Sequence, residues 1–311
     1  MRIVSLLPSA TEIVCAIGLG DELVGVTHEC DSPPEAVGKP VMTRSVHDLT
    51  TSTSTSRDIH RLVTASVHGG SSLYALDEAA LAAAEPDLIL TQELCRVCAV
   101  SYRDVNEVAR AIDAEITVVS LEPTSIEGIL NTITTVGAMT EAEDAAVDLV
   151  ESLRERLSAV EQMVQARRDA IGRSPRVVAL EWLDPPFASG HWVPEQIRRA
   201  GGWELLGSDG ERSVQTTWDA VSEVDPEMLL LMPCGFHLAE TQAEWARTRR
   251  PPGYADLTAV RRGRVFARDG SACFSRPGPR VIDGIELLAE IFDPAAFPDI
   301  APFGSWAPVE S

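Results

Sequence analysis

The chain has 311 residues, is 45% hydrophobic and 23% charged, and carries a formal net charge of −21. That length suits two domains of ordinary size. So acidic a composition argues against nucleic acid and anionic membrane surfaces as partners, because binding them needs an extended basic face.

Lys39 is the only lysine, which excludes a P-loop and leaves little room for Schiff-base chemistry. Met1 leads into a short apolar run, Ile3 to Leu7, that stops at Pro8. There is no basic n-region, no long h-region and no cleavage site, so a cytoplasmic protein is expected. No apolar run approaches the ~20 residues of a membrane span, so no membrane insertion is expected. The six cysteines are then expected as thiols, ligands or redox groups, not disulfides.

Ile3 to Leu7 reads as a first strand. Ser9-Ala10-Thr11-Glu12 is a capping-box pattern that predicts a helix from Ser9 to Gly18. Leu23 to Thr27 is a second strand, running into His28-Glu29-Cys30. The hydroxyl-rich stretch Thr50 to Ser56 reads as a solvated loop opening a helix over Arg57 to Val67. Asp77 to Ala84 is a short helix feeding a strand at Leu88. Leu88-Ile89-Leu90 is apolar without alternation, as in a parallel strand covered on both faces. The polar turn after it carries Cys95 and Cys98. Asp104 to Ile112 and Ser125 to Met139 read as helices, with a strand at Ile116 to Ser120 between them.

Glu141 to Ile171 has one interior pattern, without Gly or Pro. Val147, Val150, Leu153, Leu157, Val160 and Val164 recur at helical spacing. A helix of ~30 residues spans about 45 Å, more than one small domain. It reads as a strut between two lobes, in preference to a coiled-coil seam. The α/β pattern then restarts. Arg176 to Leu180, Met228 to Met232 and Arg264 to Ala267 read as strands. Pro194 to Ala200 and Pro279 to Phe292 read as helices. The Pro-rich tail after Asp293 reads as a surface wrap.

The halves echo each other. Gly20 to Gly25 resembles Gly202 to Gly207, and Glu85 to Leu90 resembles Val224 to Leu229. The expected architecture is two Rossmann-like α/β lobes joined by one long helix. The divisions fall at 1–139 for the first lobe, 140–172 for the helix and 173–311 for the second lobe.

Cys30, Cys95, Cys98, Cys234 and Cys273 all follow predicted strands, and ligands of open α/β sheets bind at strand carboxyl ends. If the lobes face each other across a cleft, these thiols meet there. His28, Cys30, Cys95 and Cys98 form one candidate set for zinc or an iron–sulfur cluster, with Cys234, His237 and Cys273 as a far side. Packing accounts for Cys234 and Cys273 equally well, and Cys15, inside a helix, reads as a core residue. A dithiol oxidoreductase at Cys95 and Cys98 ranks behind these. Trp182, Trp192, Phe236 and Phe274 are candidates to stack on a flat ligand, with ordinary core packing as the alternative. Arg276, opening the last helix, can donate to an anionic or amide-bearing ligand. No G-x-S-x-G, H-E-x-x-H or Walker motif is present, so an enzyme is not the favoured reading.

The chain resembles the substrate-binding proteins of cobalamin and iron-siderophore ABC transporters. The resemblance rests on R-I-V-S-L-L-P-S-A-T-E-I with G-L-G-D-E-L-V-G-V, then L-D-E-A-A-L-A-A-A-E-P-D-L-I-L, R-R-A-G-G and S-R-P-G-P-R. It covers nearly the whole chain, and the opening piece looks most like the cobalamin branch. It implies the helical-backbone periplasmic-binding-protein fold and a non-catalytic carrier. The implied ligand is a cobalamin-type corrinoid or similar metal chelate held in the cleft. By motif, Pro8, Ser9, Gln92, Trp182 and Arg276 fall where the family lines that cleft.

Three features depart from the family pattern. The family is exported, whereas this chain shows no export signal. The cobalamin branch docks its transporter through one carboxylate on each lobe; here the matching positions are Glu78 and Arg198, the second a charge reversal. The thiols of the His-Glu-Cys and C-x-x-C segments are not usual in the family's cleft. The resulting expectation is a cytoplasmic binding protein for which an ABC permease is a doubtful partner.

Overall fold

The computed structural model describes residues 1–46, 54–68, 73–92, 102–298 and 306–309. The chain divides into two compact units. The first holds Met1–Leu49, Arg61–Pro123 and Glu127–Glu151; the second holds Thr50–His60, Thr124–Ile126 and Ser152–Ser311.

In chain order the first half forms β1 (Ile3–Ser5), α1 (Pro8–Ala16), β2 (Leu23–Gly25), β3 (Thr43–Ser45), α2 (Ser56–His68), β4 (Tyr74–Leu76), α3 (Glu78–Ala84), β5 (Leu88–Thr91), α4 (Tyr102–Ile112), β6 (Thr117–Ser120) and α5 (Ile126–Met139). The long helix α6 (Glu143–Ile171) follows. The second half forms β7 (Arg176–Leu183), β8 (Pro186–Ala188), α7 (Val193–Arg199), β9 (Trp203–Glu204), β10 (Val214–Gln215), α8 (Trp218–Val224), β11 (Met228–Leu231), α9 (Leu238–Arg247), α10 (Thr258–Arg261), β12 (Val265–Arg268), α11 (Gly270–Cys273), α12 (Val281–Phe292) and β13 (Trp306–Pro308).

Among the described residues, the first unit carries a parallel sheet in the order β2-β1-β5-β6. The second carries β10-β8-β7-β11-β12-β13, with β9 also beside β7. Its inner pairs β7–β11 and β11–β12 are parallel. The apolar runs that predicted covered strands are covered: Leu88, Ile89 and Leu90 are at most 2% exposed, and Met228 to Leu231 are fully buried. Helices on both faces of a parallel sheet remove such strands from water.

The echo between the halves is present in the strand pairing, shifted by one residue from the sequence match of Glu85–Leu90 with Val224–Leu229. β5 pairs β1 through Ile3↔Leu88, and β11 pairs β7 through Val177↔Met228. This aligns Glu85-Pro86-Asp87 with Asp225-Pro226-Glu227. Glu85 and Asp225 both end a helix in the left-handed region, at φ 43° and 39°. An arginine at the start of each first strand, Arg2 just before β1 and Arg176 as the first residue of β7, serves the same purpose twice. Arg2 donates to the carbonyls of Ala84 and Glu85 at 2.8 and 3.1 Å, and Arg176 donates to the carbonyl of Val224. Each satisfies helix-terminal acceptors that have no partner within the helix.

Helix α6 buries Val150, Leu153, Leu157, Val160 and Val164 as its periodicity predicts. Val147 is the exception at 44% exposed, and Ala146 is the covered neighbour. Gly137 explains the substitution: a Cβ there would lie 2.4 Å from that of Ala146. The two helices approach too closely for a larger side chain. Arg156, on the same helix, forks onto Glu286 and Asp283.

Two local expectations are corrected. Helix α1 begins at Pro8, with Leu7 as an N-cap that supplies no side-chain hydrogen bond. The Ser9–Glu12 capping box therefore does not form. Proline at the first helical position fixes φ and has no N–H to satisfy. The tail after Asp293 is not only a wrap: β13 joins the sheet antiparallel to β12.

Candidate functional site

At the carboxyl end of β1, Leu6 and Leu7 are buried and turn the chain into α1. Ser5 Oγ donates to the Leu7 carbonyl at 2.8 Å, and Thr11 Oγ1 donates to Ser5 Oγ at 2.9 Å. Thr11 Oγ1 also lies 3.1 Å from Cys30 Sγ. One hydroxyl thus ties the Pro8-Ser9 turn to the segment after β2. Pro8 is half-buried; Ser9 and Gln92 are buried, Gln92 directly after β5. His28 Nδ1 lies 2.7 Å from Thr43 Oγ1, and Nε2 lies 3.3 Å from Glu29 Oε1. The ring also tilts against Tyr74, with centroids 5.3 Å apart. The predicted partners Cys95 and Cys98 lie outside the described residues.

The carboxyl end of β7 carries Glu181 and Trp182. Trp182 is half-buried, donates from Nε1 to the Ser56 carbonyl at 3.1 Å, and meets Phe236 edge-on at 5.5 Å. Of the four aromatic candidates it is the one that keeps partly exposed surface. Trp192, Phe236 and Phe274 are 6%, 2% and 3% exposed. Trp192 Nε1 donates to the Phe274 carbonyl at 3.0 Å, fixing the turn before Arg276 from inside. A covered ring with its N–H engaged is a packing element as it stands. Arg276 is buried at 7% exposure.

The thiols of the second unit do not assemble. Cys234 is exposed, whereas Cys273 is buried, and burial pushes its thiol up to about 12. His237 Nδ1 is engaged with Asp269 Oδ2 at 3.0 Å. A protonated core thiol is a poor metal ligand, because the thiolate is the coordinating form. Among the described residues, no group of three or more His, Cys, Asp or Glu can hold a metal ion. This corrects the expectation for the Cys234, His237 and Cys273 set. Cys15, expected in the core, is only half-buried; its thiol is pushed up to about 11, by burial first and Glu35 second. Alkylation of the native protein should therefore modify Cys234 at least ~100-fold faster than Cys273. Mass spectrometry of the modified peptides reads the ratio, and comparable rates would contradict the burial of Cys273.

Sequence reasoning missed a set of buried carboxylates in the second unit. Glu181 accepts from the Gly190 amide at 3.0 Å and from Ser213 Oγ, holding the β10 approach against β7. Glu204 accepts from the amides of Ala179, Leu206 and Gly207 at 3.1 Å each. Both residues keep some exposed surface, but their carboxyl ends are inside. Burial raises each to about 7 against these hydrogen bonds. Glu244, 1% exposed, accepts from the Ser56 amide at 2.7 Å and Ser56 Oγ at 2.5 Å. It thereby caps α2, as Glu195 caps α5 by accepting from the Ile126 amide at 2.8 Å. A carboxylate at a helix N-terminus satisfies free amides and the helix dipole together. In sequence these glutamates are isolated charges, so only tertiary pairing reveals them.

Comparison with known proteins gives this geometry a family. Residues 3–272 match the periplasmic binding protein family. The uncharacterized ABC transporter substrate-binding lipoprotein YvrC of Bacillus subtilis is 26% identical over 300 residues, covering 95% of this chain and 81% of that one. The vitamin B12-binding protein of Vibrio cholerae is 22% identical over 290 residues, covering 92% and 87%. Among solved structures, a periplasmic heme binding protein from Pseudomonas aeruginosa superposes with a TM-score of 0.73 at 19% identity, covering 100% of this chain and 98% of that one. The Vibrio cholerae vitamin B12 binding protein BtuF superposes at 0.63 with 21% identity, covering 94% and 96%. These structural likenesses establish the shared two-lobe α/β fold. With a parallel core of strands in each sheet, its long helix α6 and a family match over most of its length, the chain belongs to the periplasmic binding protein family.

Proposed function

We propose that this protein is a non-catalytic carrier that binds a corrinoid or a similar metal chelate. The observation carrying this reading is the likeness to the Vibrio cholerae vitamin B12-binding protein across 92% of the chain. The proposed ligand contacts are Pro8, Ser9, Gln92, Trp182 and Arg276. Trp182 is the residue of greatest consequence. Its indole is steered from behind by Ser56 and from the edge by Phe236, and a large ring held in one orientation offers apolar area at low entropic cost.

The Bacillus subtilis relative is named as an ABC transporter substrate-binding lipoprotein, and an ABC transporter is the corresponding proposed partner. Arg198, where the resemblance expects a docking carboxylate, donates to Asp209 at 3.0 and 2.7 Å. A partner meeting that surface would face a neutralised pair and not a free anion.

Calorimetric titration with cobalamin tests the reading. The unaltered chain should bind saturably at one site. Trp182→Ala should weaken the affinity about tenfold, the scale of one lost aromatic contact. Equal affinity in the variant would remove Trp182 from the site.

A further inference from the structure

The amino edge of the second sheet, opposite the edge that carries Trp182, holds a second feature. A cavity of about 130 Å³ opens there between the last turns of α6, the start of β7 and the end of α12. Four arginines, Arg167, Arg168, Arg173 and Arg264, line it against two carboxylates, Glu227 and Asp293. In a chain of net charge −21, a concave surface with excess positive charge runs against composition.

Internal pairing does not neutralise the excess. Arg167 pairs with Asp293. Arg173 donates to both oxygens of Glu227, at 2.8 and 2.9 Å. Arg262 draws on that same carboxylate at 3.0 Å. Arg264 donates to the Phe292 carbonyl at 3.2 Å, which satisfies a hydrogen but supplies no counter-charge. Burial holds its guanidinium below the usual range. Arg262 and Arg173 push the same way, while Glu227 and Asp293 oppose them. Arg168 is exposed and donates no side-chain hydrogen bond among the described residues. Guanidinium forks match tetrahedral oxyanions, and charge-assisted bonds to them are stronger than neutral ones. The volume is ample for such an ion with its waters.

We propose that this cavity is a binding site for a phosphate group, presented either as the free ion or as the headgroup of a phosphomonoester lipid. The site is separate from the residues assigned to the chelate and stands whether or not a corrinoid binds.

The test titrates the full chain with inorganic phosphate while sodium chloride holds the ionic strength constant. Phosphorus NMR line broadening and the thermal midpoint are the readouts. Saturable broadening is expected, with a rise in midpoint that chloride alone does not produce. Arg168→Gln should weaken binding about tenfold, and Arg264→Gln should weaken it further. Arg168 is exposed on a helix, so its variant keeps the test sound if Arg264→Gln fails to fold. Arg103→Gln, on α4 of the first unit and no part of the cavity lining, should leave the affinity unchanged. A second arm uses dihexanoyl phosphatidic acid below its micelle concentration. Binding tighter than inorganic phosphate assigns a lipid headgroup, and weaker or absent lipid binding assigns the free ion. No phosphate-specific response in either arm overturns the site, as does a response undiminished in Arg168→Gln.

Discussion

Glu244→Ala should destabilise the second unit by about 3–5 kcal/mol, the scale for removing one partner of a buried ionic network. Three donors converge on this carboxylate: the Ser56 amide, the Ser56 hydroxyl and Arg247 Nη2, at 2.9 Å. Alanine leaves the two Ser56 donors buried without an acceptor, and an unmet buried donor costs about 1–3 kcal/mol. It also removes the carboxylate that Arg247 meets at 2.9 Å. Glu244→Gln keeps the shape and an acceptor oxygen, so its loss should be smaller, about 1–2 kcal/mol. Ser56→Ala removes the hydroxyl but keeps the amide contact and should lose about 1 kcal/mol. Urea unfolding of the three variants gives the order. Hydrogen exchange at the first turn of α2 should accelerate most in Glu244→Ala. Equal losses for alanine and glutamine would contradict the charge-assisted cap.

The second large effect is a pH dependence that runs opposite to ordinary acid denaturation. Glu181 and Glu204 stand at about 7 in the folded chain, against 4.5 for an unburied glutamate. Between those values the folded state binds more protons than the unfolded one, so stability falls as pH rises. The contribution of each group is fully present below about 4.5 and is lost as pH passes through about 7. The size is roughly 3 kcal/mol per group. Denaturant unfolding at pH 5 and pH 8 should show the second unit weaker at the higher value. Glu204→Gln and Glu181→Gln should each reduce that difference by roughly 3 kcal/mol. An unchanged pH profile in both variants would show that these carboxyls are hydrated and ionised when folded.

What sequence reasoning reaches here is set by the range of the interactions. The uninterrupted run Leu88-Ile89-Leu90 announces a covered parallel strand because burial on both faces leaves no polar alternation. The stripe on α6 announces its buried face because i, i+3 and i+4 spacing is local. It misses Val147 because the close Gly137–Ala146 approach belongs to another helix. The capping box fails because Pro8 competes with Ser9 for the helix start, and proline's fixed φ decides it. β8, β10 and β13 have three residues or fewer, too few for a period to be read.

For the site, a strand end predicts where a residue sits along the chain but not where its side chain goes. Cys234 and Cys273 both follow strands, yet one is exposed and the other is buried. Trp182 and Trp192 look alike in sequence, and both indole N–H groups meet a backbone carbonyl; the deciding difference is burial, with Trp192 covered and Trp182 half-buried. The Ser56–Glu244 cap joins residues 188 apart, beyond any local pattern. The duplicated arginines Arg2 and Arg176 were within reach, since R-I-V and R-V-V open the two echoing halves.

Gel filtration of the purified chain loaded with cobalamin tests the binding reading most directly. Corrinoid colour should leave the column with the protein peak, in proportion to protein, and should be reduced for Trp182→Ala. Protein emerging colourless at every loading, with all corrinoid in the small-molecule volume, would contradict it.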